Sequence, residues 1–309
     1  MLNHICAADI KGKLVWSDVV AAMRSAHQGQ AAHIADQLLE RLPDSLLSRA
    51  AWIDGLGIGV KSVTVVPGNE QRGLPSIQGA MLVFDDTTGE PNAVIDADIV
   101  TYWKTAADSV LAATLLAPPD SRHLLIMGAG TVAESLVRAY SELFPQLESV
   151  QVCNRNAARA EQLAERLASE GFPVSATVDP AAAARQADII SCATMAIEPI
   201  LAGEWVQPGT HVDLIGAFRP DMREADDALL KKARIFVDSR DTTLEHIGEL
   251  KIPLENGVIT PDDVLADLYQ LVGGACGRQN HHDITLFKNG GGAHLDLMTA
   301  SVIVNAANG

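Results

Sequence analysis

Residues 17–28 (SDVVAAMRSAHQ) carry apolar positions at helical spacing, with Ser17 placed as an N-cap, Asp18 in the first turn and Gly29 just past the end. The pattern predicts a helix there and a second over 31–42, closed by Pro43. Then the texture changes. LGIGVKSVTVV, AMLVFD and AVID are short β-branched runs separated by PGNEQRGLP and DTTGEP, which is turn chemistry. The first third therefore reads as α+β with hairpin-like strands. An Ala/Leu-rich helix over 105–117 leads to Pro118-Pro119-Asp120, where the chain breaks and a domain boundary is expected.

Beyond that break the pattern alternates regularly. HLLIM (123–127), SVQVC (149–153), PVSATV, ADIISCAT (187–194), THVDLIG (210–216) and RIFVDS (234–239) read as strands. GAGTVAESLVRAYSEL, AARAEQLAERLASEG and ALLKKA read as the helices between them. Strands alternating with helices in units of about 30 residues imply an α/β fold with a parallel, doubly wound sheet. The pattern fades over 250–285, and LDLMTASVIVNAAN closes the chain as a helix.

Composition narrows the function. The 309 residues suit two domains, and 48% hydrophobic content is enough for sizeable cores. A net charge of −16 leaves no clustered Lys and Arg to grip nucleic acid or an anionic membrane. Cys6, Cys153, Cys192 and Cys276 are far apart, without the paired spacing of a disulfide framework or a zinc site, and suit a reducing cytoplasm. No run of 18 apolar residues and no signal-peptide pattern is present.

HLLIM-GAGTVA carries the clearest chemistry. Gly128 permits the tight turn, Gly130 lets the backbone approach a pyrophosphate, and Ala133 fills the third small position. Thr131 and Val132 open the helix, whose free N–H groups and positive dipole end favour the anion. At the end of the next strand an NAD enzyme usually has Asp or Glu. This chain has Asn154 and Arg155, with Arg159 one helical turn on. A guanidinium there can pair with a 2′-phosphate, which favours NADP(H) and leaves NAD(H) possible.

Taken in order, GVKSVTVVPGN (59–69), RGLPS (72–76), TGEP (88–91), TAA (105–107), GAGTVA (128–133), NR (154–155), GAFRPDMREADDALL (216–230), FVD (236–238) and ITLFKNGGGAHLD (284–296) resemble the ornithine cyclodeaminase/mu-crystallin family. The resemblance implies a homodimer. It implies a smaller α+β substrate and dimerisation domain over 1–117 and 293–309, and a Rossmann NAD(P)-binding domain over 118–292. It also implies hydride transfer at the carbon bearing the nitrogen of a small α-amino or imino acid.

By the same resemblance Lys61 falls on the lysine that contacts the substrate carboxylate and nitrogen. Lys104 stands where the family usually has arginine, Thr105 near the nicotinamide, and Thr194 in a loop over the cofactor. Phe218 replaces the aspartate that assists ammonia loss in ornithine cyclodeaminases. Phenylalanine moves no proton, so imine reduction or amino-acid oxidation is expected ahead of ornithine cyclisation, with a cofactor-retaining binding protein as a further class. A family glutamate and arginine upstream of Lys61 are not identifiable; His33, Arg41 and Arg49 are the substitutes at hand. Asn289-Gly290-Gly291-Gly292 is expected near the nicotinamide, and Asp296 matches a last-helix aspartate. His281 and His282, adjacent on an extended segment, would point apart and bind no metal.

Overall fold

The computed structural model describes residues 2–309. Packing divides the chain into two compact units: residues through Lys104 with Gly292–Gly309, and Thr105–Gly291. The first unit opens with β1 (Asn3–Ile5) and α1 (Trp16–Ala26). Five strands follow: β2 (His33–Arg41), β3 (Asp44–Ile53), β4 (Gly57–Val65), β5 (Ile77–Phe84) and β6 (Pro91–Asp96). Then comes α2 (Ala97–Leu116). The sheet order is β1-β6-β5-β4-β3-β2, an antiparallel meander from β2 to β6 with β1 parallel to β6.

Two expectations change in this unit. Residues 31–42 form no helix: 33–41 are β2, paired residue by residue with β3, and Pro43 sits in the two-residue turn between them. Every β2 residue is exposed, so the edge strand needs no two-residue polar alternation, and backbone pairing decides what periodicity misreads. Strand β3 itself had no sequence signature. Ser17 lies inside α1, whose N-cap is Val15 without a side-chain cap, because Trp16 is already helical and buries its ring.

The helix expected from 105 begins at Ala97, since nothing between Asp96 and Pro118 breaks it. In the second unit the chain runs β7 (His123–Met127), α3 (Thr131–Leu143), β8 (Ser149–Cys153), α4 (Ala157–Ser169), β9 (Val174–Ala176), α5 (Pro180–Ala184) and β10 (Ile189–Cys192). It continues through β11 (His211–Leu214), α6 (Asp227–Lys232), β12 (Arg234–Val237), α7 (Arg240–Thr243), α8 (Gly248–Glu255), β13 (Val264–Asp267), α9 (Leu268–Val272) and β14 (Thr285–Lys288). All eight strands are parallel in the order β13-β12-β14-β11-β10-β7-β8-β9. β10 is buried along its whole length and reads as an apolar run, while β11 is just as buried although it carries His211 and Asp213. The order reverses at β7, with β8 on one side and β10 on the other, so their loops diverge and leave a crevice at the strand ends.

The last helix, α10 (Ala293–Asn308), packs in the first unit against α1, β3 and β4. Gly59 lets it approach: a Cβ there would lie 3.1 Å from Leu297. Along β4, Gly57, Gly59 and Lys61 are buried while Ile58, Val60 and Ser62 are half-buried. Among the described residues, no helix is long and apolar enough to cross a membrane.

Candidate active site

In the second unit the loops after β7, β8 and β10 enclose a cleft of about 970 Å³. It brings together Gly128, Gly130, Asn154, Arg155, Arg159 and Thr194, six residues singled out from the sequence. The two glycines differ in kind. Gly128 holds φ +127°, and a Cβ there would lie 2.5 Å from the Ala193 carbonyl oxygen, so the turn needs glycine for its own shape. At Gly130 a Cβ would meet no protein atom within 4 Å, so its backbone faces open space. Gly130 is also the N-cap of α3, with no side-chain cap, and Thr131 and Val132 start that helix without lining the cleft. Free N–H groups beside an uncluttered glycine fit the pyrophosphate of a dinucleotide. Arg155 and Arg159 are exposed at the wall, and among the described residues neither pairs with a carboxylate. Met195 and Val178, both strongly exposed apolar side chains on the same cleft, were missed by the motif search.

Thr194 is held from behind. Its N–H and its hydroxyl both donate to Glu224 Oε1 at 2.7 Å, so the hydroxyl can only accept from a ligand. Thr105 is buried, and its carbonyl accepts from Asn289 Nδ2 at 3.0 Å, which also donates to Ser109 Oγ at 2.9 Å. Asp238 takes the N–H groups of Gly290 and Gly291 at 2.9 and 2.6 Å and shapes the glycine turn. Phe218 follows β11 on an exposed loop, with the Arg219 guanidinium 5.8 Å from its ring centre. Adjacent His281 and His282 lie in a turn, so their rings sit side by side at 4.0 Å where an extended segment would have sent them apart.

The first unit holds a separate charged cluster. Lys61 Nζ donates to Asp296 Oδ1 at 2.6 Å, and Lys104 Nζ lies 3.7 Å from the same oxygen. All three side chains are buried. Burial drives the Lys61 ammonium down to about 8; Asp296 pulls it up, and Lys104 and Arg49 push it further down. Burial works against the Asp296 carboxylate too, yet Lys61, Lys104 and Arg49 hold it below the usual range. Its Oδ2 is buried without a hydrogen-bond partner among the described residues.

Register brings one upstream cation to Lys61. Arg49 is directly opposite Lys61 across β3 and β4, and Asp36 is opposite Arg49 across β2 and β3. Cross-strand partners share a face. Asp36 accepts from Arg49 through Nε and Nη2 at 3.0 and 2.7 Å. Arg41 is instead at the hairpin tip, paired with Asp44 and almost fully exposed, and His33 is exposed at the other end of β2. Asp296 is 235 positions from Lys61, so no local signal links them.

The chain is similar throughout to proteins of known family. The profile of the ornithine cyclodeaminase/mu-crystallin family matches residues 32–309. A Δ1-pyrroline-2-carboxylate reductase from Paracoccus denitrificans is 56% identical over 302 residues, 97% of this chain and 96% of that protein. The ketimine reductase mu-crystallin of Mus musculus is 37% identical over 247 residues, covering 80% and 75% of the two chains. The solved Δ1-pyrroline-2-carboxylate reductase of Thermococcus litoralis, in complex with NADH and L-proline, is similar with a TM-score of 0.93 at 29% identity. That likeness covers 100% of this chain and 98% of that one.

Proposed function

The chain belongs to the ornithine cyclodeaminase/mu-crystallin family, and on that premise we propose that it reduces the C=N bond of a cyclic α-imino acid such as Δ1-pyrroline-2-carboxylate. The observation that carries this reading is Lys61, a buried lysine lowered to about 8 and set against a carboxylate. Such an ammonium is protonated at neutral pH and gives up its proton more readily than an ordinary lysine. A nicotinamide dinucleotide held by the glycine turn, Arg155 and Arg159 would supply the hydride for the imine carbon. The lysine's part would be the proton, given by Lys61 to the imine nitrogen and restored from solvent. Asp296, 2.6 Å from Lys61, balances the positive charge as it passes to the substrate nitrogen. Lys104 and the tethered Arg49 neutralise the substrate carboxylate, one as a point charge and the other as a planar fork. Phe218 moves no proton where an aspartate would, which disfavours ornithine cyclisation.

The cofactor reading favours NADP(H): Arg155 and Arg159 are exposed on the cleft wall, and among the described residues that line it there is no carboxylate to accept from a ribose 2′-hydroxyl. Assembly as a homodimer is supported by the sheet face turned away from α10, where Trp52, Ile58, Val60, Leu82, Phe84 and Val94 are left half-buried or exposed. Sedimentation at micromolar concentration tests that. For the activity, the loss of reduced-nicotinamide absorbance is followed with pyrroline-2-carboxylate, piperideine-2-carboxylate, and pyruvate plus methylamine. Turnover of a cyclic imine, faster with NADPH than with NADH, is expected. Release of proline and ammonia from ornithine, with no imine reduction, overturns the proposal.

A further inference from the structure

We propose that Glu224 is a positioning residue for the cofactor cleft, clipping the loop after β10 to the loop after β11. The inference rests on the reading that the cleft holds a nicotinamide dinucleotide. Glu224 is fully buried. Its Oε1 accepts from the Thr194 N–H and hydroxyl, each at 2.7 Å, and its Oε2 accepts from the Gly216 N–H at 2.6 Å. Thr194 stands two residues beyond the end of β10, and Gly216 two beyond the end of β11. The loops touch at this point: a Cβ at Gly216 would collide with the backbone of Thr194. One carboxylate thus satisfies three donors drawn from two loops whose backbones otherwise meet at a single bridge, between Leu201 and Ala225.

The clip is itself fixed. Glu249 accepts the Glu224 and Ala225 N–H groups at 2.7 and 3.0 Å, and the Glu224 carbonyl accepts from Ile200 and Leu201 at 2.9 Å each. Lys288, fully buried, holds the acceptors of the same loops, donating to the carbonyls of Leu214 and Ala217 at 3.0 and 2.8 Å. Its charge offsets those of Glu224 and Glu249. The reach into the cleft is direct, because Thr194, Met195 and Ala196 are wall residues and Ala193 packs on Gly128 of the phosphate turn. A displaced Thr194 therefore disturbs the wall and the turn together, while the other arm of the clip carries Ala217 and Phe218.

Glu224→Gln is the test, because it keeps the shape and sets an NH₂ group against an N–H donor. NADPH affinity, read by the fluorescence of the bound cofactor, is expected to fall about tenfold or more, the scale of a lost hydrogen bond to a charged group. The KM for the imine is expected to move less. Thr194→Ser, which keeps both donors, should retain more NADPH affinity than a variant that loses one of them. Thr194→Val, which loses one donor and leaves the carboxylate buried, should weaken binding severalfold and covers the case where Glu224→Gln does not fold. A lowered melting temperature with NADPH affinity within twofold of the parent would mark Glu224 as a stability element only and overturn the proposal. Parent protein that binds neither NADPH nor NADH overturns the cofactor reading itself, and the positioning role with it.

Discussion

Two buried lysines, one in each unit, began from similar sequence and ended in different surroundings. Lys61 sits in GVKSV and Lys288 in TLFK, each a charge inside an apolar strand. Burial lowers the ammonium in both. Lys61 faces a single carboxylate oxygen at 2.6 Å, and the second oxygen of that carboxylate has no hydrogen-bond partner among the described residues. Lys288 faces the carbonyls of Leu214, Ile215, Ala217 and Asn289, so its protons are held by backbone at the ends of β11 and β14. Desolvation does not make a lysine an acid catalyst. What separates the two is whether the partner leaves a proton for a ligand or ties it to the fold.

The largest effect is expected at Lys61. Lys61→Met should lower kcat/KM for imine reduction by roughly 10²–10⁴-fold, the usual range for a positioned general acid, with the far-ultraviolet circular dichroism unchanged. Lys288→Met should act mainly on stability: it strips the cation from among Glu224, Glu249 and Asp238 and leaves carbonyls unsatisfied. Urea denaturation at neutral pH is expected to show a loss of about 3–5 kcal/mol. If Lys61→Met proved the more destabilising and Lys288→Met the less active, the contrast would be reversed.

The pH profile sharpens the same contrast. Lys61 is lowered to about 8, so it carries its proton below that value and loses it above. Reduction should be level on the acid side and fall by about tenfold per pH unit beyond 8, while oxidation of L-proline, which needs the neutral amine, should rise through the same value. An activity limb unchanged by Lys61→Arg would remove Lys61 from the titration. The smallest effect concerns the nucleotide cleft. Arg155→Ala should raise the KM for NADPH by about tenfold and leave NADH nearly untouched, the cost of one charge-assisted contact to phosphate.

Legibility in the sequence followed the kind of strand. The parallel sheet of the second unit was readable because β7 and β8 are mostly apolar and each is followed by a helix with its own amphipathic face, as in HLLIM-GAGTVAESL. The first unit resisted at β2 and β3. HIADQLLER is exposed on both faces, so it has no inward side to imprint a two-residue period, and its leucines at 38 and 39 imitate a helix. Arg49 was one of several cations within reach until the register placed it opposite Lys61.

Local chemistry was enough for the phosphate turn: a glycine is required at 128 by its backbone angle, and α3 must begin where Gly130 leaves its N–H groups free. It was also enough to put a lysine inside β4 and to leave the end of β8 without a carboxylate. What that lysine does was decided by the return of the chain: α10 lies on the sheet beside Gly59, and Asp296 arrives 2.6 Å from Lys61 across 235 positions of sequence. Glu224 is the same case, since nothing in MREAD announces that its carboxylate bridges Thr194 and Gly216. Short-range sterics and periodicity act within a turn or a strand and so leave their mark on neighbouring residues, whereas burial energies and ion pairing depend on which distant segments pack together, and only the folded chain brings those segments into contact.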